Sequence, residues 1–317
     1  MRRILKKNVA GFVLALLVVG TTSAQDLSGV PGAYVDIGLG VRPLGMGGAY
    51  VAVAEDEDAA RWNPAALSGQ NRVAAGFTWT NQMNVIPYNY LAGAFPLKRA
   101  GLGWYVENSG DDVLTENTMA IAYGISGDKL PGMKTMYDIG FGITGKFRWA
   151  TFGNNEDGGV GQVQGSAWGY GVDLGFFWRM PWANHLTAGV SLRDLVNVLN
   201  WDSNVKGTYN ESVPVTMAVG FAYLLRDRSL FTLDIKPSLY SDVYTRFALG
   251  AEYKLLRVIA LRAGVAQDIG TERINRDIAV GLGVQVRLLG TGVLNAGVSY
   301  LFNDIANTPR VGLAFHW

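Results

Sequence analysis

Alternation of apolar and polar residues is the clearest pattern along this chain. In the segment 277–288, every second residue is Ile, Val or Leu, and the residues between them are Asp, Ala, Gly, Gln or Arg. The segments 137–149 and 170–178 repeat this period of two. Successive side chains of a β-strand point to opposite faces, so the pattern predicts strands with one apolar face and one small or polar face.

About fourteen such strands are predicted after residue 71, most of them with the roughly 9–11 residues that a tilted membrane-spanning strand needs. Their polar faces are rich in glycine, whereas a soluble sandwich normally carries charges there. We therefore expect an all-β fold, a transmembrane antiparallel barrel with lipid outside and water or a plug inside. The predicted strands are 72–81, 88–98, 101–109, 115–126, 136–151, 166–180, 184–194, 213–226, 229–240, 243–256, 258–268, 274–289, 292–303 and 309–317.

The links between these strands alternate between short and long. Bacterial barrels place short turns on the periplasmic side and longer loops outside, so an even strand number predicts that both termini are periplasmic. The link 127–135 is longer than this rule expects. The short links are 98–100, 181–183, 226–228, 257 and 290–291, and the two longest predicted outer loops are 152–165 and 194–212.

The first 24 residues have the order of a secretory signal peptide. Basic residues are followed by the apolar run Val9–Val19 and by the small residues Thr22, Ser23 and Ala24. The apolar run is shorter than the roughly 20 residues of a spanning helix. We therefore expect cleavage after Ala24 rather than a membrane anchor.

The last predicted strand, 309–317, ends with Phe315 and Trp317 on its apolar face. It resembles the C-terminal signal by which the barrel-assembly machinery takes up outer-membrane barrels. Together with the signal peptide, it predicts an integral protein of a Gram-negative-type cell outer membrane.

Composition excludes several kinds of chemistry. The chain has no Cys, so disulfides, thiolate metal sites and cysteine nucleophiles are impossible. Its 27 basic and 26 acidic residues give no sign of a nucleic-acid partner. His185 and His316 are the only histidines, too few for a histidine-based triad or metal cluster. We expect no enzyme activity, no cofactor and no metal.

Residues 25–68 precede the predicted barrel, which we assign to 69–317. Asn63 can cap a helix that Pro64 begins. A barrel of about fourteen strands is wider than the eight whose side chains can fill the interior, so we expect 25–68 to form a plug in the lumen. The alternative is a periplasmic tail that only tethers the first strand.

Two short features of this segment have simple interpretations. Its glycines permit tight turns but lack the spacing of a nucleotide-binding loop. The acidic run Glu55–Asp58 lacks the spaced ligands and central glycine of a calcium loop, so we expect it to be solvated or paired with arginine.

The stretch 41–67 resembles the N-terminal signature of the PorV/PorQ family of outer-membrane proteins and, more distantly, of the FadL-type transporters of hydrophobic compounds. That superfamily has a fourteen-stranded barrel, in agreement with the strand count. The matching residues are Arg42, Pro43, Gly45, Gly47, Gly48, Asp56, Trp62, Asn63, Pro64 and Ala65.

The resemblance implies two alternative functions. In the first, the barrel passes small hydrophobic molecules across the outer membrane, and apolar residues of the outer loops gather them. In the second, it is a PorV-like docking component of a type IX-like protein secretion system, with its loops as the binding surface. Expected partners are outer-membrane lipid, the barrel-assembly machinery and either hydrophobic small molecules or secreted proteins. The apolar loop residues are Met83, Val85, Ile86, Val196, Val198, Leu199 and Trp201.

Charges of both signs are predicted to point into the barrel. They can line a water channel, or pair with one another and with the plug. Mutual pairing is the interpretation we favour for each of them. They are Lys146, Arg148, Asp173, Arg193, Asp234, Lys236, Arg246, Glu252, Lys254, Arg262, Asp277 and Arg287.

Overall fold

The computed structural model describes residues 38–317, except 54, 83, 112, 137, 154–162, 184, 212, 240–243, 257, 271–275, 289 and 305. The predicted signal peptide 1–24 and residues 25–37 of the predicted plug lie outside the described residues. The described chain forms a single antiparallel sheet. Its strands are β1 (Ala74–Gln82), β2 (Ile86–Leu97), β3 (Ala100–Gly110), β4 (Leu114–Ser126), β5 (Ile139–Phe152), β6 (Gly165–Arg179), β7 (Leu186–Ser203), β8 (Gly207–Glu211), β9 (Thr216–Leu225), β10 (Ser229–Lys236), β11 (Thr245–Leu255), β12 (Ile259–Ile269), β13 (Arg276–Arg287), β14 (Val293–Phe302) and β15 (Thr308–His316).

The sheet closes into a barrel between its first and last strands. Ala74 of β1 lies opposite His316 of β15, and Val73 and Trp317 exchange two backbone hydrogen bonds of 3.0 and 3.1 Å. β7 pairs with β6 on one side and with β9 and then β8 on the other, so β8 and β9 share one position. The described strands thus occupy fourteen positions, and the predicted antiparallel barrel of about fourteen strands is confirmed.

The largest error in the predicted boundaries is at β7, which does not end at residue 194. It continues to Ser203 and forms a hairpin with β8, where we expected an outer loop. The ladder with β6 shifts at this point: Val172 faces Val196 and Leu174 faces Leu192, which leaves residues 193–195 opposite Asp173. This bulge, with Asp194 at φ 56°, places two extra residues in β7, so odd-numbered side chains such as Ser191 and Leu199 stay on the inner face on both sides of it. Beyond the bulge the inner face carries the apolar Leu199 and Trp201 and the outer face carries Asn200 and Asp202, so a search for strands with an apolar outer face misses this part.

The outer face of the barrel is apolar and exposed. In β13, the side chains of Ile278, Val280, Leu282, Val284 and Val286 are 39–49% exposed, on the face that the alternation predicts. A face of this kind on neighbouring strands gives the barrel a continuous apolar exterior. Within the described residues, no helix is long and apolar enough to cross a bilayer.

Residues 38–70 lie inside the barrel, and we call them the lumenal segment. They contain the helices α1 (Val41–Gly45) and α2 (Ala59–Trp62) and the 3₁₀ helix Pro64–Gly69. Another 3₁₀ helix, Gly127–Lys129, lies in the link from β4 to β5. We call the barrel end that holds Val73 and Trp317 the terminal end, and the opposite end the distal end.

Glycines on the inner wall allow the lumenal segment to approach the strands closely. A Cβ on any of them would crowd or overlap atoms of this segment or, at Gly220, the inward Asp234 next to it. They come from strands all round the barrel, in the half nearer the terminal end. We call this set the glycine belt: Gly76, Gly101, Gly103, Gly124, Gly140, Gly142, Gly175, Gly189, Gly220, Gly250, Gly264, Gly281, Gly297 and Gly312.

Candidate functional site

The glycine-rich turn after α1 is fitted against strands β11 to β13. Gly47 and Gly48 have φ angles of 68° and 77°, values that favour glycine, as the sequence predicted for a tight turn. A Cβ at Gly47 would lie 2.9 Å from the backbone nitrogen of Val265, and Gly45 packs against Gly281. Pro43 lies within α1 and is buried. The turn therefore needs glycine both for its conformation and for its distance from the wall.

The Trp-Asn-Pro-Ala motif joins the two halves of the lumenal segment. The Nε1–H of Trp62 donates to the carbonyl oxygen of Leu39 at 2.9 Å, and the Trp62 side chain is 1% exposed. The side-chain oxygen of Asn63 accepts from the N–H of Ala65 at 3.1 Å and so caps the 3₁₀ helix that Pro64 begins. Its amide nitrogen donates to Val51 at 2.9 Å and to Phe176 of β6 at 3.0 Å. Asn63 thus connects the 3₁₀ helix, the chain at Val51 and strand β6.

Arg42 connects the lumenal segment to β11. Its Nε and Nη2 donate to the two carboxylate oxygens of Glu252 at 2.9 Å each, a bidentate arrangement. Its Nη1 donates to the Tyr50 hydroxyl and to Asp56, each at 2.9 Å. Arg262 of β12 donates to Glu252 at 2.7 Å from the other side. The predicted motif residues Arg42 and Asp56 therefore meet directly, and Arg42 is also held by a glutamate that lies 210 residues away in the chain.

The acidic run makes separate ion pairs. Glu55 accepts from the Nε of Arg179 at 3.0 Å, Asp56 pairs with Arg42, and a carboxylate oxygen of Glu57 lies 2.7 Å from the Nε2 of His316. The expectation of pairing is thus confirmed for Glu55 and Asp56, and the sequence gave no signal for the histidine partner of Glu57. Carboxylate oxygens of Asp56, Glu57 and Asp58 come within 4.8 Å of one another, so this is also where a cation would find ligands.

The pKa values of the neighbouring carboxyl groups of Asp56, Glu57 and Asp58 are shifted in different directions. Burial and the charges of Glu57 and Asp56 raise the pKa of Asp58 well above its ordinary value. Burial and Glu57 also raise the pKa of Asp56, in spite of Arg42. For Glu57, burial acts in the same direction, but the hydrogen bond and charge of His316 outweigh it and lower the pKa. Glu57 is therefore the member of the run whose charge the fold stabilises most clearly.

A cavity of about 330 Å³ lies between the acidic run and strands β11 to β15. Its lining carries groups of both signs, among them Arg42, Glu57, Lys254 and His316. The acidic run therefore has free space next to it, although the turn after α1 lies close to the same strands.

Pairing is confirmed for seven of the predicted inward charges, namely Lys146, Arg148, Asp173, Arg246, Glu252, Arg262 and Asp277, whereas Asp234 accepts from the backbone N–H groups of Tyr50 and Val51. Lys146 contacts Asp173 at 2.6 Å and Asp194 at 3.0 Å, and Arg148 contacts Asp194 at 2.7 Å. The backbone N–H of Asp194 also donates to Asp173 at 2.8 Å. This cluster surrounds the bulge of β7, which the sequence did not reveal, and fixes it with charge-assisted hydrogen bonds.

Apolar residues line the inner wall near the distal end. Leu199 and Trp201 are 1% and 6% exposed and form a cluster with Ala150, Ala167 and the partly buried Phe152 and Tyr209. The ring of Trp201 lies 5.5 Å from that of Phe152 and 6.4 Å from that of Tyr209. We call these six residues the distal apolar cluster.

The expectation that Val196, Val198, Leu199 and Trp201 belong to an outer loop is therefore wrong. All four lie in β7, where Leu199 and Trp201 point inward on the same face as Ser191, whereas Val196 is 55% exposed on the outer face. Of the other predicted loop residues, Val85 is in the turn before β2 and is 66% exposed, and Ile86 begins β2. Met83 is outside the described residues.

The predicted assembly-signal residues lie at the terminal end. Phe315 is in β15, and its ring centroid is 4.9 Å from that of Trp317, whose side chain is 48% exposed. Their role in assembly stays a prediction. The two histidines are in different environments: His316 contacts Glu57, and His185, in the link before β7, lies 4.0 Å from Asp227.

Comparison with known proteins finds similarity at the level of structure. No protein-family model and no curated protein matches the chain. A solved structure of the CymD monoaromatic hydrocarbon channel matches with a TM-score of 0.60 and 15% identity, over 90% of this chain and 98% of that one. The Ralstonia pickettii toluene transporter TbuX matches with a TM-score of 0.57 and 13% identity, over 88% and 97%.

A Pseudomonas aeruginosa FadL homologue also matches, with a TM-score of 0.58 and 11% identity, over 87% of this chain and 97% of that one. At these identities, the matches establish a shared barrel fold of the FadL type. The chain covers nearly the whole of each of these structures.

Proposed function

We propose that this chain is an integral outer-membrane barrel that passes small hydrophobic molecules, with both termini on the periplasmic side. The single observation that carries this proposal is the division of the lumen. Its terminal half is occupied by the lumenal segment, and its distal inner wall carries the distal apolar cluster. A water-filled pore would instead have a polar interior along its length.

The exterior supports the membrane placement. Closed barrels leave no strand edge unpaired, so they satisfy every backbone group within a bilayer. The outward residues of β13 and its neighbours are apolar and exposed, which would be costly in water and is favourable in lipid. Exposed apolar surface of this extent on a closed barrel fits a lipid environment.

The fit of the lumenal segment supports its role as a plug. The glycine belt brings strand backbones into contact with it, and Trp62, Ala65 and Leu67 are at most 1% exposed. A tail that only tethered β1 would not need such contacts all round the wall. Within this proposal, the predicted plug 25–68 blocks free diffusion, and a shift of its acidic run into the adjacent cavity would open a path.

The distal apolar cluster supports the substrate class. Apolar side chains beside a few polar groups are typical of sites for small hydrophobic ligands. The printed names of CymD and TbuX, a monoaromatic hydrocarbon channel and a toluene transporter, refer to compounds of that kind. By contrast, the docking role for secreted proteins rests on the motif resemblance alone.

The proposal is tested by a double substitution in the cluster, Leu199→Ser with Trp201→Ser. Loss of the apolar contacts should lower uptake of radiolabelled toluene on the order of tenfold, the factor that corresponds to about 1.4 kcal/mol of binding free energy. Uptake is measured in cells whose toluene uptake depends on this protein. The matched control is Val196→Ser with Val198→Ser, on the other face of β7, which should leave uptake unchanged.

Folded protein in each sample is quantified by its altered migration on unheated detergent gels. Equal uptake by wild type, both variants and cells without the protein would contradict the transport proposal and favour docking. Equal loss in both variants would assign the effect to the strand and not to the cluster.

A further inference from the structure

Exposed cations surround the terminal end of the barrel. In the described residues, four of the six links at this end contain or directly adjoin an exposed Lys or Arg; the cations nearest the other two, Arg179 and Lys254, face the lumen, where Arg179 pairs with Glu55. Acidic residues in the same links are fewer, namely Asp128, Asp138 and Asp227. One cation from each of these four links is Lys98, Lys129, Arg226 and Arg287.

The distal end has no such excess of cations in its described part. Asp111, Asp202, Glu211 and Asp304 lie in or next to its links, together with Lys206, Lys236 and Arg276. The basic character is thus a property of one end of the barrel and is not spread over the molecule, whose formal net charge is only +1.

Exposed leucines lie directly beside these cations. Leu97 precedes Lys98, Leu225 precedes Arg226, and Leu288 follows Arg287, with exposed fractions of 40%, 40% and 41%. Leu256, in the turn from β11 to β12, is 78% exposed. A ring of apolar side chains bordered by cations reproduces the change from hydrocarbon to phosphate at a membrane surface.

The turns of this end keep these side chains in a strained backbone conformation. Arg99, Arg226 and Leu256 have φ angles of 59°, 52° and 53°, in the left-handed region that glycine or asparagine adopts at lower cost. At the distal end, the described link residues with positive φ are glycines and Asn84. These turns therefore carry long cationic or apolar side chains at positions where glycine or asparagine would cost less.

We propose that the terminal end is a collar that binds anionic phospholipid headgroups. The cations contact lipid phosphates, and the neighbouring leucines enter the hydrocarbon below them. A lipid leaflet surrounds a barrel completely, which matches cations in four links spread around this end, whereas an acidic protein would dock on one side. This inference rests on the proposed membrane placement and goes beyond transport.

The test compares lipid binding by two variants that differ in charge. The neutral variant carries Lys98→Gln, Arg99→Asn, Arg226→Asn and Arg228→Gln, and asparagine suits the left-handed conformation. The charged variant carries Arg99→Lys, Arg226→Lys and Arg228→Lys. Trp182 and Trp317, 63% and 48% exposed at this end, report on nearby lipid. Their fluorescence is quenched in bilayers by brominated phosphatidylglycerol or brominated phosphatidylcholine.

Wild type and the charged variant should prefer phosphatidylglycerol on the order of fivefold, and high salt should weaken the preference. The neutral variant should lose it while it remains folded and inserted. Equal quenching by both lipids in wild type, or a preference that survives in the neutral variant, would overturn the collar. If wild type forms cross-links to an acidic periplasmic protein and the neutral variant loses them, this end docks a protein and the lipid collar is wrong. Failure of wild type to insert would contradict the proposed function itself.

Discussion

At the scale of residues, single partners decide whether a buried charge is tolerated. Glu57 and Asp58 are adjacent in the chain, but only Glu57 has a histidine 2.7 Å away. Burial alone penalises both carboxylates, and the pKa of Asp58 rises whereas that of Glu57 falls. Two neighbours of similar chemistry therefore have opposite effects on stability.

This contrast predicts opposite results for two isosteric substitutions. Glu57→Gln should lower the free energy of unfolding by about 1.5–3 kcal/mol at neutral pH, because it removes a charge-assisted hydrogen bond. Asp58→Asn should raise it, because the folded state no longer carries a charge that burial disfavours. Both are measured by urea titration of the folded barrel in detergent micelles.

The pH dependence of the free energy of unfolding tests the direction of both effects. The lowered pKa of Glu57 contributes stability above its unfolded value, which is lost as the pH falls through the folded value. The raised pKa of Asp58 has the reverse effect: the stability that this carboxyl group contributes is present at low pH and is lost as the pH rises through the folded pKa. The advantage of Asp58→Asn should thus vanish below about pH 3.9, where the unfolded carboxyl is protonated too. An advantage that persists there would refute the charge explanation.

At the scale of elements, the glycine belt determines how strands and lumenal segment fit. Gly142 and Gly145 lie on the same strand, β5, three residues apart. A Cβ at Gly142 would overlap the backbone of Pro64 and Ala65, whereas a Cβ at Gly145 would meet no atom within 4 Å. They form a matched pair for testing the fit.

Gly142→Val should displace the 3₁₀ helix from β5 and cost about 1–3 kcal/mol, as overpacking generally does. Gly145→Val should leave the fit unchanged. The readout is protease cleavage within residues 59–69 in folded barrels, where cleavage should increase only for Gly142→Val. Equal protection in both variants would show that the helix is not held by this contact.

At the scale of the whole molecule, we expect the lumenal segment to decide whether the lumen of the barrel is blocked or open. Deletion of residues 45–67 removes the part that fills the terminal half, and the strand ladder and its closure between β1 and β15 do not depend on it. We expect the deletion variant to assemble and to conduct ions in planar bilayers, because a barrel of this width cannot fill its lumen with its own side chains.

Single-channel conductance of intact and deleted protein is compared in samples whose folding is checked by heat-dependent gel migration. Conductance of the deletion variant as low as that of the intact protein would mean that the segment does not close the lumen. If the deletion variant folds and conducts ions but toluene uptake by cells does not depend on the protein, the lumenal segment is a plug and the transport proposal is wrong.

The sequence by itself determined the strands, their inner and outer faces and the closed barrel, because alternation is a local property of each strand. It also indicated that Asn63 caps a helix at Pro64. Only the tertiary structure decided which groups meet. Arg42 and Glu252 are 210 residues apart, and Glu57 and His316 are 259 apart, so no local pattern can pair them. The bulge at Asp194 likewise depends on Asp173 of the neighbouring strand. It inserts two residues and so keeps the faces of β7 the same on both sides, and only the closed barrel shows that the apolar Leu199 and Trp201 belong to the inner face.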